Sequence, residues 1–194
     1  MEKYATQELR NQINKFIEKQ SNVPFTMNNI YQVLNMVIQT TGQRMNKALE
    51  EAFDMICSFS ADNSTAGEKW KTNANYMVNR KFIVPYMTSY DSRYNNTHVR
   101  LSYSGNEVKI NDVVKALCYV NGVTYDEKHS LRNFIYDKGI RYGEWYEWSF
   151  FRIKAFKKGT MHFEFLDENV WMRFNQVVAS QRGWVLPKKS RKGK

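Results

Sequence analysis

Four cations crowd one short stretch of the chain: Arg152, Lys154, Lys157 and Lys158. Arg152 and Lys154 are two residues apart, the spacing that sends both side chains to one face of a β-strand, while Phe151, Ile153 and Ala155 take the other face. Lys157 and Lys158 carry the row into a turn. A basic ridge of this kind suits phosphates spaced along a nucleic-acid backbone. The bland alternative is the ordinary solvated face of a hairpin. Just ahead stand Trp145, Tyr146 and Trp148, which read as a loop. Two tryptophans in a loop are costly to expose, so Trp145 and Trp148 either fill a core, the commoner outcome, or form a stacking platform for bases. Lys69-Trp70-Lys71 interleaves an aromatic with two cations and is a further candidate.

The chain carries a formal charge of +10, distributed unevenly. Residues 151–194 hold eleven Lys and Arg against three acids, whereas the first 150 hold eighteen against sixteen. Such asymmetry is the footprint of a polyanion binder. The end of the chain adds Lys188, Lys189, Arg191, Lys192 and Lys194, a tail expected to be disordered alone.

Other chemistries find little support. An amino-methyltransferase needs an Asp/Asn-Pro-Pro-aromatic loop and a Gly-rich cofactor loop, and neither occurs. Two Cys and three His, at 57, 118, 98, 129 and 162, show no short ligand spacing, so no metal site is expected. Asp91, Glu107, Asp112 and Glu144 match no nuclease signature. His162, beside Lys157 and Lys158, is the one acid–base candidate, and a strand histidine between Met161 and Phe163 is more often packed or solvated. No catalytic residue, enzyme activity or cofactor is expected.

The elements that must position the ridge follow from apolar spacing. Met1 to Gln20, about Asn28 to Gln39, and Arg44 to Phe59 have helical periodicity, and the latter two form either an antiparallel hairpin or one long kinked helix around Gly42. Ser60 to Gly67 reads as a loop and as the domain boundary. Lys81 to Met87 reads as a strand, pushed to a sheet edge by Pro85, and His98 to Tyr103 as another. Asn111 to Asn121 and Ser130 to Lys138 read as helices, with Asn111 a candidate cap and Gly139 a stop. Glu144 to Phe165 contains a hairpin whose strands, Ser149 to Phe156 and Thr160 to Phe165, join through Lys157-Lys158-Gly159. Asp167 caps a last helix with Val170, Trp171, Phe174, Val177 and Val178 on one face, stopped at Gly183. The fold class is α+β: N-terminal helices, then a mixed domain with a small antiparallel sheet, packed helices and a basic tail. The expected divisions are a helical subdomain or arm at 1–60, an α+β domain at 68–187 and a tail at 188–194. Both cysteines read as buried free thiols of a reducing compartment.

Several stretches from Lys69 onward resemble a family. They are Lys69-Trp-Lys-Thr-Asn73, Val78-Asn-Arg-Lys81 with Val84-Pro-Tyr86, Asp112 to Tyr119, Gly143-Glu-Trp-Tyr146 and Phe150-Phe151. They continue with Phe156-Lys-Lys-Gly-Thr-Met-His162 and Trp171-Met-Arg-Phe-Asn175 through Trp184, Leu186 and Pro187. The chain here resembles a domain of unknown function common in Bacteroidetes and on mobile elements, sometimes following an adenine-methyltransferase-like module. The resemblance implies a setting in DNA processing or counter-defence on a phage or mobile element, and no activity.

The expectation is therefore a cytoplasmic, non-enzymatic accessory protein that binds RNA or DNA or a nucleoprotein complex, with no membrane partner. In the alternative, it is a protein-directed inhibitor of the anti-CRISPR type, whose partner is a nuclease of a defence system; a third, lesser reading is a DNA-processing enzyme of an unrecognised type.

Overall fold

A computed structural model of the chain describes residues 15, 18, 26–60, 63–64, 77–91, 93 and 97–186, without the side chains of 36–41. The helix expected over Met1 to Gln20 lies outside these residues except for Lys15 and Glu18, both helical.

The first described element, α1, runs unbroken over Met27–Phe59, so the two helical stretches are one helix and Gly42 lies inside it. Its C-terminal turns place Leu49, Ala52, Phe53 and Ile56 at 3–4 residue spacing, and all four are buried. By contacts the chain divides within α1, into residues 1–48 and 49–194. The boundary expected at 60–67 falls inside the second unit, because those last turns of α1 belong to its core.

The second unit is built on a four-stranded antiparallel sheet. Its strands are β1 (Lys81–Val84), β2 (Trp145–Trp148), β3 (Phe151–Ala155) and β4 (Met161–Phe165), in the spatial order β1-β4-β3-β2. The fold is α+β, with the further α-helices α2 (Asn106–Val120), α3 (Leu131–Lys138) and α4 (Glu168–Gln181). None of them, nor α1, is long and apolar enough to cross a membrane.

Period-2 alternation gives the sheet two unlike faces. The inner face carries Phe82, Val84, Phe151, Ile153, Ala155, Met161, Phe163 and Phe165, all buried. Phe82 stacks on Phe163 at 5.2 Å, and Phe151 meets both edge-on. Phe174 of α4 closes this layer against Phe165 and Phe53.

Several turns follow their residue types. Asp167 caps α4 by accepting from the Asn169 N–H at 2.7 Å. Ser130 caps α3, and Gly139 ends it at φ 57°. Asn111 caps no helix of its own. It lies within α2, and its Oδ1 accepts from the Leu131 N–H at 2.9 Å, joining α2 to the start of α3. The expected strand His98 to Tyr103 reduces to isolated bridges, Thr88 to Leu101 and His98 to Arg141, because its N–H groups go to loop carbonyls such as Met87 O.

Gly159, at the β3–β4 turn, sits at φ 96°, and its carbonyl accepts from Met87 and Thr88 N–H. A Cβ there would lie 3.4 Å from the Thr88 carbonyl oxygen. Gly159→Ala is expected to cost about 1–2 kcal/mol, a drop of roughly 2–8 °C in Tm for a chain this size. A thermal melt checks it, and an unchanged Tm would show that the turn relaxes freely.

Candidate nucleic-acid interface

The outer face of the sheet is read directly from the strand registers. One cross-strand row is Lys81, Glu164, Arg152 and Glu147, and the next is Ile83, His162, Lys154 and Trp145. These side chains are exposed or half-buried. The β3 parity extends to Phe156, which follows Arg152 and Lys154 on the same side.

Trp145, on the edge strand β2, is where the cations of the face gather. It is 36% exposed, and three cations surround its ring: the Arg152 guanidinium at 4.9 Å, Lys81 Nζ at 5.3 Å and Lys154 Nζ at 5.8 Å. The ring's negative quadrupole holds cations of different strands side by side. Lys154 Nζ also lies 5.6 Å from the Phe156 ring, which packs on His162 at 4.4 Å. At the turn, Lys157 Nζ sits 4.6 Å from the Tyr90 ring, which meets Tyr142 edge-on.

Burial, with the charges of Lys81, Lys158 and Lys154 behind it, holds the His162 imidazole below its ordinary value. His162 is thus neutral at neutral pH and adds ring surface without adding a cation. Arg152 donates to Glu164 at 2.8 Å, so its charge is largely cancelled on the protein itself. Lys81 and Lys154 meet no carboxylate within ion-pairing distance among the described residues.

The structure therefore divides the sequence candidates. It brings Arg152, Lys154 and Trp145 together on one face and sets Lys157 and Lys158, both exposed, at its end. Trp148 is corrected out of the stacking set. Residues 145–148 form strand β2 and not a loop, and a spacing of three puts the two tryptophans on opposite faces. Trp148 is 3% exposed, and its Nε1 donates to the His129 carbonyl at 2.9 Å. Lys69, Trp70, Lys71, Lys188, Lys189, Arg191 and Lys192 lie outside the described residues. Lys81, Phe156 and Tyr90 were missed. Phe156 carried a signal in strand parity, whereas Lys81 and Tyr90 reach the face through contacts distant in sequence and carried none.

The four carboxylates weighed for a nuclease centre go to separate local partners. Asp91 pairs with Arg93, Glu107 with Arg132, Asp112 with Lys115, and Glu144 accepts from the Tyr146 hydroxyl. Among the described residues no group of three His, Cys, Asp or Glu is placed to hold a metal ion. Cys57 and Cys118 are free thiols. Cys118 is buried, whereas Cys57 is only partly so, and burial with the Asp54 charge pushes the Cys57 thiol up to about 11 against the opposing pull of Arg182.

The residues behind the sequence resemblance have visible duties. Trp171 Nε1 donates to the Val78 carbonyl at 2.7 Å, and Asn175 Oδ1 accepts from the Val78 N–H at 2.7 Å. The stretch Trp171 to Asn175 thus pins the segment entering β1, and Gly159 shapes the turn carrying Lys157 and Lys158. No curated protein and no solved structure matches the chain. A family model does match, over residues 1–184, taking in the helical segment ahead of the resembling stretches. The chain belongs to the DUF4942 family, a domain of unknown function.

Proposed function

We propose that the protein binds nucleic acid, RNA or DNA, through the outer face of its sheet, and that it acts by binding and not by catalysis. The observation that carries this reading is the convergence of Lys81, Arg152 and Lys154 on the exposed Trp145 ring. Of these, Lys81 and Lys154 have no carboxylate in ion-pairing reach among the described residues, so they repel one another, and a polyanion relieves that repulsion while releasing its own counterions. Lys157 and Lys158 extend the positive potential along the hairpin, and the +10 charge of the chain favours encounter.

The test is a titration of the full chain with labelled oligonucleotides across a salt series. Three to five phosphate contacts predict a slope of log affinity against log salt of about −2 to −4.5. No binding at about 50 mM salt, where such contacts are strong, removes the reading. Capture from lysate of a protein partner that survives nuclease, with no nucleic acid bound, replaces it with the protein-directed one.

A further inference from the structure

We propose that the ligand of this face is single-stranded nucleic acid, gripped along Trp145, Lys154, Phe156, Lys157 and Tyr90. The proposal rests on the nucleic-acid reading above and narrows it to one class of ligand.

The motivating feature is alternation of ring and cation. One ammonium, that of Lys154, lies between two rings, 5.8 Å from Trp145 and 5.6 Å from Phe156. The residue after Phe156 is Lys157, whose ammonium lies 4.6 Å from a third ring, Tyr90. A duplex has use for the cations and none for the rings. Its bases are stacked on both faces and present only their edges in the grooves. A single strand offers both features in turn, a phosphate and then an unstacked base, and the established way to hold it is a basic track with aromatic faces beside it.

Two further observations agree. Trp145 keeps 36% of its surface accessible on the same face as these cations, and a base is a flat cover of suitable size. His162, against Phe156 at 4.4 Å, adds an uncharged ring surface to the middle of the track. The paired strands contribute no Asn or Gln to this face: its side chains are Lys81, Ile83, His162, Glu164, Arg152, Lys154, Trp145 and Glu147. The bidentate amides that read adenine are therefore lacking there, and binding is expected to tolerate many sequences.

The experiment uses the full chain and three labelled probes of about 12 nucleotides, a length in the range that single-strand-binding domains of other folds cover: oligo-dT, oligo-rU and a blunt duplex. Anisotropy is read at two salt concentrations. At least one single strand should bind about tenfold or more tighter than the duplex. Trp145→Ala should lose about ten- to a hundred-fold on that strand with the salt slope unchanged, Trp145→Phe should keep most of the affinity, and duplex binding should not change. Circular dichroism confirms that the variants fold, and the wild-type preference decides the matter without them. Duplex binding equal to or tighter than both single strands overturns this proposal and leaves the nucleic-acid reading standing, as does wild-type affinity in a folded Trp145→Ala. Failure to bind all three probes overturns both.

Discussion

Replacing Lys81, Lys154, Lys157 and Lys158 together by glutamine should weaken nucleic-acid binding by about three to four orders of magnitude at 50 mM salt and leave the fold intact. Each phosphate neutralised contributes about 0.7 to the salt slope on a single strand, so four lost contacts flatten it by about 2.8. The effect is proportionally smaller at higher salt and fades near 1 M, where counterion release no longer drives binding. None of the four pairs with a carboxylate among the described residues, so their loss orphans no acid. Arg152 is left in place because its removal would strip Glu164 of its partner and add a repulsive charge to the face. Salt-series titrations of wild type and variant, with matching thermal melts, measure both halves of the expectation. A folded variant whose slope matches the wild type would show that nucleic acid is held elsewhere.

The largest stability loss is expected at Asn175. This side chain is fully buried and makes three hydrogen bonds: it accepts from the Val78 N–H at 2.7 Å and donates to the carbonyls of Trp171 at 2.9 Å and Val78 at 3.4 Å. Asn175→Ala leaves the Val78 N–H, also at 0% exposure, without its acceptor. Unmet buried groups of this kind cost about 1–3 kcal/mol each, and a small cavity adds to that. A total of about 2–4 kcal/mol lowers Tm by roughly 5–15 °C. Asn175→Asp sharpens the test. Its carboxylate can still accept from Val78 but faces two carbonyl oxygens, which favour the protonated acid, so its pKa in the fold is raised. The damage should therefore be greatest above that raised value and shrink as pH falls from it to the unfolded carboxyl value of about 3.9. A melt series from neutral to acid pH reads this, and a pH-independent deficit would show that packing alone is at stake.

Local rules made much of this fold readable. The β3–β4 hairpin follows from alternation and from a glycine where the turn needs positive φ. The start of α4 follows from Asp167 ahead of an apolar stripe. What stayed hidden depends on partners distant in sequence. Lys81 reaches the candidate site because β1 lies beside β4, a pairing across some eighty residues that no local pattern encodes. Trp145-Tyr-Glu-Trp148 hid as a loop because an edge strand with one half-exposed aromatic lacks clean alternation, and the odd spacing of its tryptophans makes sense only once the strand exists. The ridge itself was visible, but not its charge. A cross-strand glutamate ten residues past Lys154 neutralises Arg152, so four apparent phosphate contacts on the hairpin become three, and Lys81 restores the fourth from another strand.

Asn63 covers the β1 edge of the sheet in a way that bears on solubility. Its amide donates to the Ile83 carbonyl at 2.7 Å and accepts from the Ile83 N–H at 2.7 Å. One side chain thereby occupies the place a further strand's peptide group would take. An open margin of a sheet is a template on which copies add to one another and grow into fibres. With both hydrogen-bonding groups of Ile83 already used, and Pro85 ending the strand, that margin has little left to offer an incoming chain. A protein that gathers many copies along one polymer would bring such margins close together at high local concentration, and a margin sealed from within lets them crowd without fusing.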